Sequence, residues 1–276
     1  MITQVSIPTM VAFSSEYGRF SEGDQISQRE LLPIRLTTKI YPPNGADITC
    51  MASTPKGLFY CKMDKGDGRP VRSQEAFCYL LASAVGIAVP NFAPVEDPET
   101  GDIYFGSLQH FSTSLDIERD RIIRFGLVSD GPKIEWLGRY FSALAPFDLL
   151  IGNWDRRNSN FILHQSGTAK RLCAIDFGAA NLAFDVPINL SVADSPTNAL
   201  RRQNAMRHGF YVDAAQDMCA RLKNIKPSQI KAFFNQMHPD WVHLGQEEKL
   251  YGLWASGSIS ARLDEICAVL TNGSHI

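Results

Sequence analysis

The sequence of 276 residues has no surplus of either charge and no long apolar run. Its formal net charge is −2 with 20% charged residues, so composition gives no reason to expect a surface for nucleic acid or for an anionic bilayer. The longest apolar stretch, near residues 78–89, is too short for a transmembrane helix and ends at Pro90. We therefore expect no membrane span and no direct binding of nucleic acid.

Cysteine spacing gives no sign of a disulfide framework. The six cysteines are scattered without a C-x-x-C motif, and several, such as Cys78, lie inside apolar runs. This usage is typical of buried thiols in a reducing compartment. The first residues, MITQVSIPTMVAFSSEYG, lack a basic start and a long apolar core, so we expect no signal peptide. Together these features predict a cytoplasmic protein.

Two common hydrolytic signatures are also missing. No G-x-S-x-G motif occurs, so a hydrolase nucleophile elbow is not supported. His238 and His243 are five residues apart with Pro239 between them, and this interrupts the helical spacing that would let both bind one metal ion. The sequence therefore does not support these two kinds of hydrolase.

What the sequence does contain is a strand-rich first part and a helix-rich second part. Strand patterns and turn residues predict strands within residues 30–41, 48–54, 57–63 and 102–111. A helix is predicted at about 73–85, with Ser73 as its N-cap and Gly86 at its end. These patterns indicate the α+β fold class, with a small β-rich N-lobe (residues 1–106) and a larger, mainly helical C-lobe (residues 107–276).

The second part combines helices with one polar hairpin. A helix is predicted at about 136–150, interrupted or ended near Pro146, and a polar hairpin at 151–178. Beyond about residue 186 the pattern is helical, including one helix with Ser228 as N-cap after Pro227. The apolar faces of these later helices are typical of core packing rather than of cofactor binding.

Five polar residues, far apart in the chain, have the types and the order that phosphate transfer from ATP requires. Lys62 ends a predicted strand, and Glu75 lies in the first turn of the following helix. Asp155 and Asn160 form a D-x-x-x-x-N pattern, and Asp176 follows in I-D-F-G. Such a Lys holds phosphates, its acidic partner positions it, one Asp activates the acceptor, and Asn and Asp bind magnesium. We interpret the set as a site for nucleotide phosphates and metal.

Other polar residues near these motifs keep two interpretations. Ser53 and Thr54 lie in the hairpin MASTPKG, where they could contact phosphates, but a plain hairpin turn is favoured over that role. Arg156 and Arg157 could meet phosphate or an acidic acceptor, or could simply be solvated. Beside them, Trp154 is interpreted as a packing residue.

The segments that carry these residues resemble those of HipA-like kinases. SQEAFCYLLASAVGIAVPNF (73–92) resembles the family's helix and following turn. FDLLIGNWDRRNSNFIL (147–163) resembles its catalytic loop, in which N-x-D replaces the H-R-D of typical protein kinases. YFGSLQHF (104–111) resembles the segment that leads into the larger lobe. The match runs from roughly Ile34 to Phe184.

The resemblance implies a bilobal protein-kinase-like fold that binds ATP and Mg²⁺ between its lobes. It implies acceptor activation by Asp155, metal binding by Asn160 and Asp176, and phosphate binding by Lys62 with Glu75 as its partner. Asn153 would brace the loop, or have a purely structural role. Phe105, in the segment between the lobes, is a further candidate contact of the nucleotide. The implied activity is phosphorylation of Ser or Thr in a protein acceptor.

Two other activities stay open. A small-molecule or phosphoinositide kinase fits because related catalytic loops occur in phosphoinositide kinases and antibiotic phosphotransferases, although the latter typically place His-Gly before the Asp where this chain has Asn153-Trp154. A nucleotide-binding pseudokinase is the other alternative, although such proteins usually lack one of the five residues. The chain also looks too short to hold the N-terminal subdomain of HipA toxins, so an antitoxin-type partner is not indicated.

Overall fold

A computed structural model describes residues 32–41, 48–109, 113–125, 135–166, 169–182, 192, 195 and 198–272. Six strands form one sheet in the order β1-β5-β6-β4-β3-β2, in which only β1 and β5 pair in parallel. The strands are β1 (Ile34–Arg35), β2 (Thr38–Ile40), β3 (Cys50–Thr54), β4 (Gly57–Lys62), β5 (Phe92–Glu96) and β6 (Ile103–Leu108). All four predicted strand regions are therefore confirmed where they overlap the described residues.

The β3–β4 hairpin shows why this part of the sequence forms a sheet. Residues of β3 alternate between buried and half-buried, because successive side chains of a strand point to opposite faces. Only Pro55 and Lys56 lie between the paired residues Thr54 and Gly57. Gly57 has a φ of +125°, which a residue without Cβ adopts without strain. The short hairpin thereby directs β4 back across the sheet to end at Lys62.

Helix α1 (Val71–Ala84) lies against this sheet and starts two residues earlier than predicted. Its N-cap is Pro70, so the prediction of Ser73 as N-cap is wrong; Ser73 is buried in the first turn, where its hydroxyl donates to the Pro70 carbonyl. The predicted end is confirmed, since Gly86 follows the C-cap with a φ of +85°.

Where the structure describes the second part, it is mainly helical and contains one hairpin, as predicted. Its helices are α2 (Thr113–Phe125), α3 (Glu135–Ile151), α4 (Asn198–His208), α5 (Val212–Lys223), α6 (Pro227–Phe234), α7 (Gln246–Ala255) and α8 (Ser258–Thr271). Strands β7 (Phe161–Ser166) and β8 (Ala169–Ala174) pair antiparallel. Helix α3 runs through Pro146 rather than ending there, and α6 has Lys226 rather than Ser228 as its N-cap.

One large apolar core joins the two parts of the described chain. It takes side chains from α1, from β5 and β6, and from most of the later helices. Phe77 of α1, for example, packs against Phe233 and Phe234 of α6 and against Trp254 of α7. Strand β6 ends two residues beyond the predicted lobe boundary after residue 106, and that boundary stays a prediction.

The cysteines and the helices bear on two predictions about the environment of the chain. All six cysteines are free thiols, and five of them are buried, as expected. Within the described ranges, the helices are too short or too polar to cross a bilayer. The cytoplasmic location and the lack of nucleic-acid binding stay predictions.

Close packing of α3 makes Gly138 a position where one added methyl group should be harmful. A Cβ there would lie 2.4 Å from the His208 carbonyl oxygen and 2.5 Å from a ring carbon of Tyr211. We expect Gly138→Ala to lower the free energy of unfolding by about 1–3 kcal/mol, the usual cost of overpacking. Urea denaturation followed by circular dichroism measures it.

Gly252 in the middle of α7 is the matched control. An added Cβ there meets no atom within 4 Å. Since Ala has a higher helix propensity than Gly, Gly252→Ala should stabilise by up to about 1 kcal/mol. Equal effects of the two substitutions would contradict the packing that we describe between α3 and the α4–α5 connection.

Candidate active site

The central feature of the site is a lysine held between two carboxylates. Lys62, the last residue of β4, places its Nζ 2.5 Å from Oε1 of Glu75 and 2.6 Å from Oδ1 of Asp176. Glu75 is fully buried in α1, whereas a third of the Asp176 side chain is exposed. Three residues separated by up to 114 positions thus meet at one amine, as the sequence predicted for a kinase-type site.

A second ion pair sets the distance between Lys62 and Glu75. Asp64, two residues after Lys62, accepts hydrogen bonds from Nε and Nη2 of Arg72 and from its backbone N–H. Arg72 lies three residues before Glu75 and also donates to the Ile103 carbonyl. This pair joins the end of β4 to the first turn of α1, so the buried Lys62–Glu75 contact is positioned by the backbone on both sides.

Asp176 reaches the lysine through an unusual backbone conformation. Its φ of +62° makes it the only non-glycine residue with a positive φ among the described residues. Asp tolerates this region better than most residues, but holding it there still costs about 1–3 kcal/mol. The next residue, Phe177, is fully buried against Tyr79 of α1 and Phe147 of α3. Packing of Phe177 therefore compensates the strain and turns the Asp176 carboxylate toward Lys62.

Electrostatics keep the Lys62–Asp176 pair charged. Burial alone would lower the pKa of Lys62, but the carboxylates of Glu75 and Asp176 outweigh burial and raise that pKa far above its usual range. Burial likewise opposes ionisation of Asp176, yet Lys62, Arg156 and Arg157 hold the pKa of that carboxyl below its ordinary value. The site thus presents a fixed ammonium group beside a fixed carboxylate at neutral pH.

The loop between α3 and β7 brings Asp155 and Asn160 next to the Asp176 segment. The Asn160 amide nitrogen donates to the carbonyl of Asp155 at 3.0 Å. The backbone N–H of Ile175, the residue before Asp176, donates to the carbonyl of Asn160 at 3.1 Å. Asn160 is buried, and its Oδ1 accepts from the hydroxyl of Ser159. The predicted catalytic loop and the I-D-F-G segment are therefore directly hydrogen bonded.

Arg156 links the catalytic loop to the I-D-F-G segment from the interior of the protein, so it is not a solvated residue. It is buried and forms two parallel hydrogen bonds of 2.9 Å with the carboxylate of Asp148. Its remaining nitrogen donates to the carbonyls of Asn160 and Ile175. Its guanidinium also lies 4.6 Å from the ring centroid of Phe177. The sequence left two interpretations of Arg156: contact with phosphate or an acidic acceptor, or exposure to solvent. Neither is supported, because the side chain is buried and its positive charge is matched by Asp148.

Asp148 is the site residue that the sequence interpretation missed. It is buried near the end of α3, and besides Arg156 it accepts hydrogen bonds from the side chain and the backbone N–H of Asn153. Asn153 thus braces the loop, as expected. One signal in the sequence could have identified it: Asp148 stands inside the apolar run APFDLLIG. An Asp in such a run is expected to be buried, and a buried carboxylate requires a partner.

Two neighbouring residues of the loop lie at the surface. The guanidinium of Arg157 pairs with Oδ1 of Asp155 at 2.6 and 2.7 Å, and its side chain is largely exposed. Trp154 is 50% exposed, and its interpretation as a packing residue stays a prediction. The carboxylate of Asp155 therefore lies at the open side of the loop, where a substrate can approach.

Three candidate nucleotide contacts are placed differently from this group. Thr54 uses its hydroxyl within the hairpin turn, donating to the Gly57 carbonyl and accepting from the backbone N–H of Lys56. Ser53 is half-buried in β3. Phe105 pairs with Lys62 across β4 and β6, but its side chain is fully buried among aromatic rings. The geometry favours hairpin formation for Thr54 and core packing for Phe105 over contact with a ligand.

The donor chemistry of the site fits a nucleotide with Mg²⁺. Asp176 has two oxygens, one of which contacts Lys62 while its side chain is partly exposed. The Asn160 nitrogen donates to the Asp155 carbonyl, whereas its oxygen accepts one hydrogen bond, from Ser159, and has a second lone pair for a metal ion. No group of three or more acidic, His or Cys side chains suited to a metal lies within the described residues. Mg²⁺ is commonly bound by one or two protein groups together with phosphates and water, so two ligands suffice.

Comparison with solved structures shows which fold carries this site. The fold is similar to that of a proinflammatory kinase, CtkA, from Helicobacter pylori, with 16% identity and a TM-score of 0.53 over 88% of this chain and 100% of that one. HipA of Shewanella oneidensis MR-1, in a complex with HipB and operator DNA, matches with 13% identity and a TM-score of 0.44 over 88% of this chain and 69% of that one. No family model matches the sequence, and neither does any curated protein.

The first of these similarities establishes the class of fold. The chain has an α+β kinase-like fold, in which a small sheet with one helix precedes a larger helical part. The fold class predicted from the sequence is therefore confirmed, and the expected resemblance to a kinase is confirmed as a likeness of fold. We draw no conclusion from the second similarity, and the roles of the site residues stay predictions.

Proposed function

We propose that this chain is an ATP- and Mg²⁺-dependent phosphotransferase that phosphorylates Ser or Thr of a protein acceptor. The observation that carries the proposal is the amine of Lys62 between the carboxylates of Glu75 and Asp176. In phosphate transfer there is little covalent chemistry for the protein to perform, so catalysis rests on positioning and charge. A buried ammonium group fixed between two separate segments provides both.

Each residue then has a role that follows from its contacts. Lys62 binds the α- and β-phosphates, and Glu75 keeps its amine in place. Asp176 and Asn160 hold Mg²⁺, which would neutralise charge on the phosphate oxygens. Asp155, at the open side of the loop, orients the acceptor hydroxyl and accepts its proton. Arg156 fixes the positions of Asp155, Asn160 and Asp176 relative to one another. It does so through its contacts with Asp148 and with the carbonyls of the two segments.

Incubation of the purified chain with ATP labelled at the γ-phosphate and with Mg²⁺ tests the proposal. The reaction is run with and without cell lysate, and the products are separated into protein, lipid and small molecules. Label on Ser or Thr of protein supports the proposal. Label on a lipid or metabolite would support the phosphoinositide or small-molecule alternative, and nucleotide binding without turnover would support a pseudokinase.

Removal of the ammonium group should weaken nucleotide binding. We expect Lys62→Met to lower the affinity for ATP roughly 10- to 100-fold, because a hydrogen bond to a charged group contributes about 1.5–3 kcal/mol. Isothermal titration calorimetry with ATP and Mg²⁺ measures this change.

Lys249→Met supplies the control for that substitution. Lys249 is exposed on α7, outside the group of site residues, and its replacement should leave the affinity for ATP unchanged. If Lys62→Met bound ATP as tightly as the unaltered chain, the role of Lys62 in binding phosphate would be refuted.

A further inference from the structure

An open groove lies beside the catalytic loop and is formed partly by helix α4. It has a volume of about 470 Å³. We call it the α4 groove, and it is lined by Arg156, Arg157, Asn158, Leu200, Arg202, Gln203 and Met206. None of the assignments above uses the four residues that α4 contributes.

The position of the α4 groove relates it to the acceptor rather than to the nucleotide. One wall contains Arg157, whose guanidinium contacts the carboxylate of Asp155. The groove therefore begins one side chain away from the group that we propose to activate the acceptor hydroxyl. An acceptor segment that continues from that hydroxyl along the surface would enter the groove.

The charges in the α4 groove have one sign. None of the described residues that line it is acidic, and α4 itself, NALRRQNAMRH, contains no Asp or Glu. Arg156 is matched by Asp148 and Arg157 by Asp155, whereas Arg202 is exposed and makes no ion pair with any residue that the structure describes. Among the residues that the structure describes, Arg202 is therefore the groove cation that an incoming carboxylate can bind without displacing a partner.

Apolar side chains also line the α4 groove. Met206 is 73% exposed, which is unusual for a large apolar side chain and is one turn of helix away from Arg202. Leu200 and Met206 both line the groove. A long, flexible Met adapts to different apolar partners. The groove thus combines a positive charge with an apolar contact, the combination that suits a peptide rather than a free anion.

We propose that the α4 groove binds an acidic segment of the protein acceptor and selects acceptors with carboxylates near the phosphorylated hydroxyl. This inference rests on the proposed function and specifies its substrate class. Arg202 binds an acceptor carboxylate, and Met206 packs against an apolar side chain of the acceptor. Because the groove is open, binding is electrostatic in part and weakens as salt concentration rises.

The test compares two fluorescent peptides that differ only in charge. Each contains one central Ser and a Leu, and the Ser is flanked on both sides by Glu in one peptide and by Gln in the other. Fluorescence anisotropy measures their affinities for the full chain at low salt. We expect the Glu peptide to bind about tenfold more tightly, since a few exposed charge pairs contribute up to about fivefold each.

Two charge reversals on the same helix locate the binding surface. Arg202→Glu should remove the preference for the Glu peptide, whereas Arg207→Glu, also exposed on α4 but outside the lining of the groove, should retain most of it. Thermal unfolding confirms that both variants fold, and Met206→Ala provides a second variant that should weaken binding of both peptides equally.

The outcomes separate this proposal from the proposed function. Equal binding of the two peptides, or equal loss in Arg202→Glu and Arg207→Glu, would overturn the acidic acceptor groove even if the chain transfers phosphate. Selective binding that depends on Arg202, in a chain that phosphorylates neither peptide nor protein, would support the groove and refute the proposed function. Selective binding with faster phosphorylation of the Glu peptide supports both.

Discussion

Replacing Asp155 by Asn should lower the rate of phosphate transfer by about 10²- to 10⁴-fold, the usual contribution of a positioned acid or base. The amide has nearly the same shape as the carboxylate but cannot accept the proton of the acceptor hydroxyl. The residue lies at the open side of its loop, and its side-chain partner, Arg157, is exposed, so the loss of that ion pair should cost less than about 1 kcal/mol of stability.

Two measurements show whether the Asp155→Asn effect is chemical. The affinity for ATP with Mg²⁺, measured by calorimetry, should stay close to that of the unaltered chain, while transfer of labelled phosphate falls. Asp217→Asn, which removes another exposed carboxylate paired with an arginine, should change neither quantity. Phosphate transfer by Asp155→Asn at the unaltered rate would refute the role that we assign to Asp155.

A large loss of stability is expected from Asp148→Asn. This substitution leaves the guanidinium of Arg156 buried without an opposite charge, and breaking a buried pair in this way costs about 3–5 kcal/mol. Chemical denaturation measures the loss. Because Arg156 also holds the carbonyls of Asn160 and Ile175, the catalytic loop and the Asp176 segment should lose their register together. Phosphate transfer should therefore fall although Asp148 makes no proposed contact with substrate.

A double substitution distinguishes loss of charge balance from loss of shape. Asp148→Asn combined with Arg156→Gln removes both charges, and it should be less destabilising than Asp148→Asn alone, since no buried charge is left without a partner. Asp213→Asn, which removes an exposed ion pair with Arg139, should cost less than about 1 kcal/mol. The losses in the free energy of unfolding caused by Asp148→Asn and by Arg156→Gln alone can be added. If the double variant lost as much as this sum, the coupling of Asp148 and Arg156 would be contradicted.

Local patterns in the sequence were sufficient to predict most elements of the fold. Alternation predicted β3 and β4, and helical spacing predicted α1 and α3 to within about two residues. The errors lie at helix starts, where Pro70 and Lys226 replaced the predicted Ser caps, because several residues near a helix end are compatible with capping. The order of strands in the sheet was not predicted, since strand pairing depends on contacts distant in sequence.

For the site, residue types and spacing predicted the grouping of Lys62, Glu75 and Asp176, because each chemical role restricts the residue that can fill it. The interpretations of Arg156 were not supported for a different reason. Whether an Arg is buried depends on what packs against the loop, and the loop's own sequence carries no such information. Asp148 was missed because its partner, Arg156, is recognisable only when the end of α3 and the loop are seen together.

The amino-acid sequence alone was enough to predict the kinase-like fold class and the grouping of Lys62, Glu75 and Asp176, because periodicity and residue chemistry are local properties of the chain. The folded structure was needed to show that Lys62 contacts two carboxylates and that Asp176 adopts a strained backbone conformation. It was also needed to show that Arg156 is buried and paired with Asp148. Only the folded structure revealed the α4 groove, since its two walls are about 40 residues apart and become one surface through packing.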